Sequence, residues 1–177
     1  MARVTMLEID QVSGELQDRF QKMEERGFEV LNLFRVMAHS PAVGLDFLRL
    51  GNSILFKGSV PPRLRELAIL RVGNLANASY EWAQHVPIGR RAGLSKAQID
   101  AIPNWHDSDL FDEQAKAVLR YTDEVAETIR ATDDTFQKIK NYFTDEQIVE
   151  LTTTIGFYGM VSRILETLQV ELETSRL

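Results

Sequence analysis

The chain has 177 residues, of which 44% are hydrophobic and 26% are charged, and its formal net charge is -6 at pH 7. That length and balance are typical of one globular domain with its own hydrophobic core. The interleaved acidic and basic residues argue against a nucleic-acid partner, which requires a basic face. The sequence contains no cysteine, which excludes disulfides, thiolate metal sites and nucleophilic thiols.

The N-terminal segment bears on the cellular location. Residues 1–10 carry charged side chains and lack the apolar run of a secretory signal. No stretch of the sequence approaches the length of apolar residues that spans a bilayer. We therefore expect a cytoplasmic protein with no membrane partner.

Apolar residues recur at helical spacing along nearly all of the chain, without the alternating β-branched runs typical of strands. This pattern predicts an all-α, single-domain bundle of several helices over residues 1–177, with residues 1–27 as an N-terminal extension. Ser40 and Pro41 are typical of an N-cap and a first helical position. The predicted helices of the first half span residues 16–25, 28–39, 41–56 and 61–72.

A break in the helical pattern follows residue 72. Gly73, Asn74 and Asn77 are poor helix-interior residues, so we expect the chain to leave the helix there. A new helix is predicted from Ser79 to Ala92, with Gly93 at its C-terminal cap. Further helices are predicted over residues 95–103, 112–132, 133–142 and 144–171, with a polar and aromatic loop over residues 104–111.

Glu81, His85 and Glu66 are the candidate catalytic residues. Glu81 and His85 lie four residues apart on one helix face, where the carboxylate can hydrogen-bond the imidazole and favour its protonated form. The alternative is an ordinary helical ion pair that contributes little to stability. On one straight helix Glu66 would lie about 28 Å from His85. A reversal at the predicted break is needed to bring Glu66 beside the pair.

Several stretches of the sequence occur in the order and spacing of one known family. They are Leu33-Phe34-Arg35 through Ser40-Pro41, Pro61 to Arg71, Tyr80-Glu81-Trp82-x-x-His85, Arg91-Ala92-Gly93-Leu94-Ser95 and Phe157-Tyr158-x-Met160-x-x-Arg163. Over residues 31–171 the chain resembles the carboxymuconolactone decarboxylase and alkylhydroperoxidase D-like family. The resemblance implies a multi-helix bundle of the alkylhydroperoxidase D-like type.

The resemblance also separates two branches of that family. The hydroperoxidase branch has a distant glutamate, two cysteines separated by two residues, and a histidine four residues after the second cysteine. Here Glu66 matches the glutamate, Ala78 and Glu81 stand where the cysteines would be, and His85 matches the histidine. Thiol peroxidase chemistry is therefore excluded, and the chain resembles the cysteine-less, decarboxylase-like branch.

The decarboxylase-like branch implies a lyase of aromatic catabolism that needs no cofactor and no metal. Its reaction is the decarboxylation of γ-carboxymuconolactone, or a related reaction on an unsaturated lactone or other carboxylic acid. We expect His85 to deliver a proton, Glu81 to orient it, and Glu66 to act as a second proton-handling or substrate-orienting carboxylate. The family also implies a homo-oligomer, a trimer or a hexamer.

An anionic substrate needs a cationic or polar partner in the pocket. Arg71, on the Glu66 helix, is the first candidate for substrate binding, and a solvent or subunit contact is its alternative. Tyr80 is expected to line the pocket. His39 is a candidate at the border of the cleft, with a local structural role as the alternative.

Two other functional readings stay open at this point. The same acid/base residues would suit a proton-transfer isomerase or a hydrolase acting on another carbonyl compound. In a second reading, the chain is a noncatalytic helical binding or assembly protein whose site lost its activity with its cysteines.

Overall fold

A computed structural model describes residues 2–173 of the chain. These residues form α-helices joined by turns and two short 3₁₀ segments, with no β-strand among them, which confirms the all-α prediction. The α-helices are α1 (Gly14–Glu25), α2 (Asn32–Met37), α3 (Pro41–Phe56), α4 (Pro62–Leu75), α5 (Ser79–Arg91), α6 (Lys96–Ala101), α7 (Glu113–Thr128), α8 (Asp133–Lys140) and α9 (Asp145–Leu168).

The described chain divides into two compact units, a terminal unit of residues 2–53 and 164–173 and a central unit of residues 54–163. The terminal unit has its own apolar core. Leu16 and Phe20 of α1 are fully enclosed in it, so the segment predicted as an N-terminal extension contributes to a folded core. The buried members of this core are Val12, Leu16, Phe20, Val30, Ala38 and Leu48.

The central unit is organised around α4, which packs against both α5 and α7. All residues from Leu64 to Gly73 are buried, so this helix is enclosed on every face. Such a helix is expected to be apolar throughout, because charged side chains are rarely buried without a partner. Arg65, Glu66 and Arg71 are the exceptions, and each has a charged partner in the structure.

Of two predicted helix starts in the first half, one agrees with the structure and one does not. Helix α3 begins at Pro41 as predicted. Helix α2 begins at Asn32 rather than at Phe28, because the Phe28 N–H group donates to the Met23 carbonyl at 2.9 Å and closes the end of α1. Gly27 makes this turn with a φ of 78°, a conformation that glycine adopts without steric cost.

The predicted break after residue 72 lies later than expected. Helix α4 continues through Gly73 and Asn74 to Leu75, and only Asn77 leaves the helical region, with a φ of 52°. The Ala78 N–H group then donates to the Gly73 carbonyl at 2.9 Å, which ends α4 and starts α5 in the reverse direction. The chain therefore makes the reversal that the candidate site requires.

Two predicted boundaries in the second half were wrong. The segment expected as a loop over residues 104–111 begins as a 3₁₀ helix, Ile102–Asp107. Helix α7 ends at Thr128, because Ile129 adopts a left-handed conformation with a φ of 71°. In the described part of the chain, no helix has the length and apolar character needed to cross a membrane.

Candidate functional site

Two glycines lie at the contact between α4 and α5, and Gly89 allows the closer approach. A Cβ atom added at Gly73 would lie 3.4 Å from the Cβ atom of Glu81. A Cβ atom added at Gly89 would lie 3.1 Å from Leu70 Cδ1 and 3.8 Å from Glu66 Cβ. The missing side chain of Gly89 therefore makes room beside Glu66, whereas a Cβ atom at Gly73 would make ordinary van der Waals contact with Glu81.

The closest polar contact between α4 and α5 joins Glu66 and His85. Nδ1 of His85 lies 2.8 Å from Oε2 of Glu66, and both side chains are buried. Because Nδ1–H donates to the carboxylate, Nε2 carries the lone pair when the imidazole is neutral. Glu66 thus fixes the ring orientation and leaves Nε2 as the nitrogen that exchanges a proton.

Glu81 approaches the other ring nitrogen without bonding to it. Its Oε2 atom lies 3.6 Å from Nε2 of His85, beyond a normal hydrogen-bond distance. The hydrogen bond predicted between Glu81 and His85 is therefore made by Glu66 instead, since the fold-back places Glu66 on the ring edge. The two carboxylates occupy opposite ends of the imidazole.

Arg65 completes the ion pairing of Glu66. Its Nε and Nη2 atoms each lie 3.3 Å from Oε1 of Glu66, and the arginine is itself buried. Glu66 therefore has a cation on one oxygen and the imidazole on the other. Both oxygens of this buried carboxylate therefore have a partner, as buried charged groups require.

Glu81 has the opposite environment. Its Oε2 atom is buried and has no hydrogen-bond partner within the described residues. Burial raises the pKa of Glu81 to about 7, while the neighbouring His85 lowers it and Glu66 raises it. Glu81 therefore holds its proton well above the usual range of a carboxyl group. An unpartnered polar atom in a buried cluster indicates a place where a ligand binds.

Tyr158 of α9 closes the cluster. Its ring packs edge-on against the imidazole of His85, with centroids 4.9 Å apart and planes at 87°. Burial raises the pKa of Tyr158 well above its ordinary value, and the carboxylates of Glu81 and Glu66 raise it further. The phenol is therefore a protonated hydrogen-bond donor at neutral pH.

Arg71 does not lie in this cluster. Its Nε atom pairs with Asp123 Oδ1 of α7 at 2.5 Å, and its Nη1 atom donates to Asn74 Oδ1 and to the carbonyl oxygens of Ile102 and Pro103. The structure thus engages this guanidinium in joining α4 to α7 and to the 3₁₀ segment. The partners of Nε and Nη1 favour a structural role for Arg71, and its substrate-binding role stays a prediction.

The other two predicted binding residues have different settings. His39 is exposed in the terminal unit, and its Nε2 atom lies 2.7 Å from the Thr5 carbonyl oxygen, which fits the local structural alternative. Tyr80 is buried on α5, directly before Glu81. Its role in lining a pocket stays a prediction.

Sequence reasoning missed Arg65 and Tyr158 as members of the site. Arg65 was detectable as a second charged residue on an otherwise apolar helix, directly before Glu66. Tyr158 follows helical spacing and was interpreted as core, but its polar hydroxyl in a buried position was a signal for a partner. Within residues 2–173, no group of three or more His, Asp or Glu side chains has an arrangement that holds a metal ion.

Known proteins resemble this chain in sequence and in fold. Residues 41–124 match the model of the carboxymuconolactone decarboxylase family. The uncharacterised protein YdfG of Bacillus subtilis (strain 168) is 22% identical over 110 residues, which cover 61% of this chain and 75% of that protein.

Several solved structures are similar to this chain in fold. A protein of unknown function from Agrobacterium tumefaciens, assigned provisionally to the antioxidant defence protein AhpD, has a TM-score of 0.71 and 28% identity, over 77% of this chain and 94% of that one. A peroxidase-related protein with an AhpD core from Ralstonia eutropha JMP134 has a TM-score of 0.83 and 18% identity, over 99% and 94% of the two chains. The debrominase Bmp8 with bound 2,3,4-tribromopyrrole has a TM-score of 0.80 and 20% identity, over 98% and 92%.

The helical architecture and these structural likenesses define an all-α protein of the AhpD type. The match over residues 41–124 adds a likeness in sequence to the carboxymuconolactone decarboxylase family.

Proposed function

We propose that the protein is a cofactor-free acid/base lyase that decarboxylates γ-carboxymuconolactone or a closely related unsaturated lactone acid. The observation that carries this proposal is the buried arrangement of Glu66, His85 and Glu81, in which one imidazole lies between two carboxyl groups of different character. Pairs of titratable groups in contrasting environments are typical of acid/base sites.

The three residues take distinct roles in the proposal. Glu66 holds Nδ1 of His85 and stabilises the imidazolium when it forms, as the carboxylate of a catalytic triad does. Glu81 carries the proton, and its carboxyl group faces Nε2 of His85 across 3.6 Å. The pair delivers that proton to substrate carbon. Glu81 thus supplies the proton, and the orienting role we had expected of it belongs to Glu66.

The reaction balances without an oxidant or a cofactor. The bond between the lactone ring and its carboxylate breaks, carbon dioxide leaves, and the electron pair passes into the conjugated lactone. The resulting dienolate takes one proton on carbon from the Glu81–His85 pair, and solvent returns that proton to the pair. We assign the protonated hydroxyl of Tyr158 to the developing enolate oxygen, because a hydrogen-bond donor there stabilises the charge.

The absence of cysteine favours proton transfer over thiol chemistry in this proposal. Glu81 stands where the hydroperoxidase branch has a nucleophilic thiol, and it offers a proton instead of a sulfur nucleophile. A carboxyl group with a pKa of about 7 is suited to proton transfer near neutral pH. The carboxyl group of Glu81, in the place of that thiol, therefore supports proton transfer, although proteins of similar fold are named as peroxidase-related.

The test is a direct assay. Purified protein is incubated with γ-carboxymuconolactone, and the loss of its absorbance is followed with carbon dioxide release. We expect turnover by the wild type and by His106→Gln, an exposed histidine outside the cluster, and a loss of at least about 100-fold with folded His85→Gln. Absence of turnover by the wild type would withdraw the named reaction.

A further inference from the structure

A cavity lies in the central unit, and the residues that line it are not those of the proposed catalytic site. Its volume is about 360 Å³, and it is a partly open cavity bordered by the C-terminal parts of α4 and α7 and by the middle of α9. Most of its wall is apolar, formed by side chains such as Val72, Leu75, Val125 and Ile155. Its size is within the range of small-molecule sites. Glu66, Glu81 and His85 do not line it.

Two glycines inside α9 keep this cavity open. Gly156 and Gly159 both line it, although a glycine in a helix interior is less stable than alanine by about 1 kcal/mol. A Cβ atom added at Gly156 would meet no atom within 4 Å. Packing therefore does not require glycine at residue 156, which is exposed, and its missing side chain leaves open space at the helix surface.

Ser162 presents a polar group at the cavity wall. Its hydroxyl oxygen is buried and has no hydrogen-bond partner within the described residues, and the side chain lines the cavity. A serine in a helix ordinarily bonds the carbonyl four residues earlier. A buried hydroxyl without a partner is destabilising, so its presence at a cavity wall indicates a ligand that supplies the partner.

Arg163 adds a cation to the lining of the same cavity. Its Nη1 atom donates to the Gly159 carbonyl at 2.7 Å, which holds the guanidinium over the glycine surface. Among residues 2–173, no carboxylate forms an ion pair with it, and the one acidic side chain of the lining is Glu127. A held guanidinium and an unpartnered hydroxyl in the lining of one cavity are suited to a carboxylate ligand.

Ile129 marks the edge of the cavity with an unusual backbone. It is a β-branched residue at a φ of 71°, where glycine or asparagine is normally found, and its side chain is 87% exposed. A strained and exposed apolar side chain lowers stability without contributing to the core. Positions that break local rules in this way are typical of functional sites.

We propose that this cavity binds a small aliphatic carboxylate, whose carboxyl group meets Arg163 and Ser162 and whose chain lies along the apolar wall above Gly156. The proposal is independent of the lyase reaction, because it uses none of the residues of that site. It assigns the glycines, the unpartnered hydroxyl, the arginine and the exposed isoleucine to one binding site.

The experiment titrates the full-length protein with hexanoate and records amide chemical shifts by NMR. Hexan-1-ol, which has the same chain without the charge, is the matched ligand control. We expect saturable shifts at the cavity with hexanoate, and binding at least about tenfold weaker with hexan-1-ol or in Arg163→Gln. Ser162→Ala weakens hexanoate binding, and Glu127→Gln strengthens it by removing a like charge.

Two further variants keep the test decisive. Gly156→Leu fills the open space, and we expect it to abolish binding while the protein stays folded, because leucine is a better helix former than glycine. Arg90→Gln, an exposed arginine on α5, serves as the charge control and leaves binding unchanged. Equal binding in Arg163→Gln and wild type, hexan-1-ol binding as tight as hexanoate, or no saturable shift with hexanoate would each overturn the proposal. So would cavity shifts that follow protein concentration instead of hexanoate, since they would assign this face to a second copy of the chain.

Discussion

Nδ1 of His85 lies 2.8 Å from Oε2 of Glu66, although the two residues are nineteen positions apart in the chain. The contact exists because Asn77 turns the chain back on itself and because glycines line the approach of α5 to α4. It places one carboxylate on the ring nitrogen that does not face Glu81. The proposed chemistry depends on this arrangement, in which Glu66 contacts Nδ1 of the imidazole and Glu81 faces Nε2.

The first prediction concerns Glu66. Glu66→Gln keeps the shape of the side chain but removes the charge that stabilises the imidazolium, so we expect kcat to fall by about 10² to 10⁴. Steady-state kinetics with γ-carboxymuconolactone measure the change, and circular dichroism checks that the variant is folded. Glu113→Gln, an exposed residue at the start of α7, is the matched control and keeps wild-type kinetics. A Glu66→Gln enzyme with wild-type kcat would remove Glu66 from the mechanism.

The second prediction concerns stability and pH. Glu81 holds its proton in the native state up to a pKa of about 7, whereas in the unfolded chain it loses the proton near its ordinary value of 4.5. Between these values unfolding releases a proton, so the contribution of Glu81 to stability is fully present below pH 4.5 and is lost as the pH rises through 7.

Glu81→Gln removes this dependence. We expect the free energy of unfolding of the variant, relative to wild type, to rise by up to about 3 kcal/mol between pH 4.5 and pH 8. Urea unfolding at several pH values measures it. If the two proteins keep a constant difference across this range, the buried protonated state of Glu81 is disproved.

The third prediction tests the structural role of Arg71. Arg71→Met leaves Asp123 buried without its cation and should lower the free energy of unfolding by about 3 to 5 kcal/mol. Arg63→Gln, which removes an exposed ion pair with Asp112, should cost at most about 1 kcal/mol. Measured on folded protein, KM for γ-carboxymuconolactone is expected to stay unchanged in Arg71→Met. A raised KM with normal stability would favour the substrate-binding role instead.

The fourth prediction compares two glycines. Gly89→Ala brings a Cβ atom to 3.1 Å from Leu70 Cδ1 and 3.2 Å from Leu94 Cδ1, next to Glu66, so we expect a loss of about 1 kcal/mol and a lower kcat. Gly156→Ala meets no atom within 4 Å and should gain up to about 1 kcal/mol from helix propensity. Thermal unfolding ranks the two variants. The opposite ranking would contradict the close α4–α5 contact.

The sequence supports the helical fold and much of the candidate cluster, because both depend on local signals. Helical spacing, the Pro41 start of α3 and the Ser95 capping box all act within a few residues, and the structure has each of them. The poor helix formers before Ser79 predicted the reversal that joins Glu66 to His85. The predicted position was too early, because Gly73 and Asn74 stay helical and only Asn77 leaves the helical region.

What sequence reasoning missed depends on contacts distant along the chain. The ion pair of Arg71 was missed because its partner Asp123, 52 residues later, is invisible to helical periodicity. Tyr158 was read as core because only the folded chain brings α9 against His85. Which nitrogen of His85 each carboxylate faces is likewise a property of the packed helices, and spacing four residues apart favoured the wrong partner.

The central claim is that Glu81 holds the transferable proton beside Nε2 of His85, and the pH profile of kcat/KM for γ-carboxymuconolactone tests it most directly. We predict that wild-type kcat/KM falls as the pH rises through about 7, the pKa of Glu81. Glu81→Gln should lose this transition along with most activity, and folded His85→Gln should be inactive at every pH. A wild-type transition near pH 7 that persists unchanged in Glu81→Gln, or full activity in His85→Gln, would contradict the account.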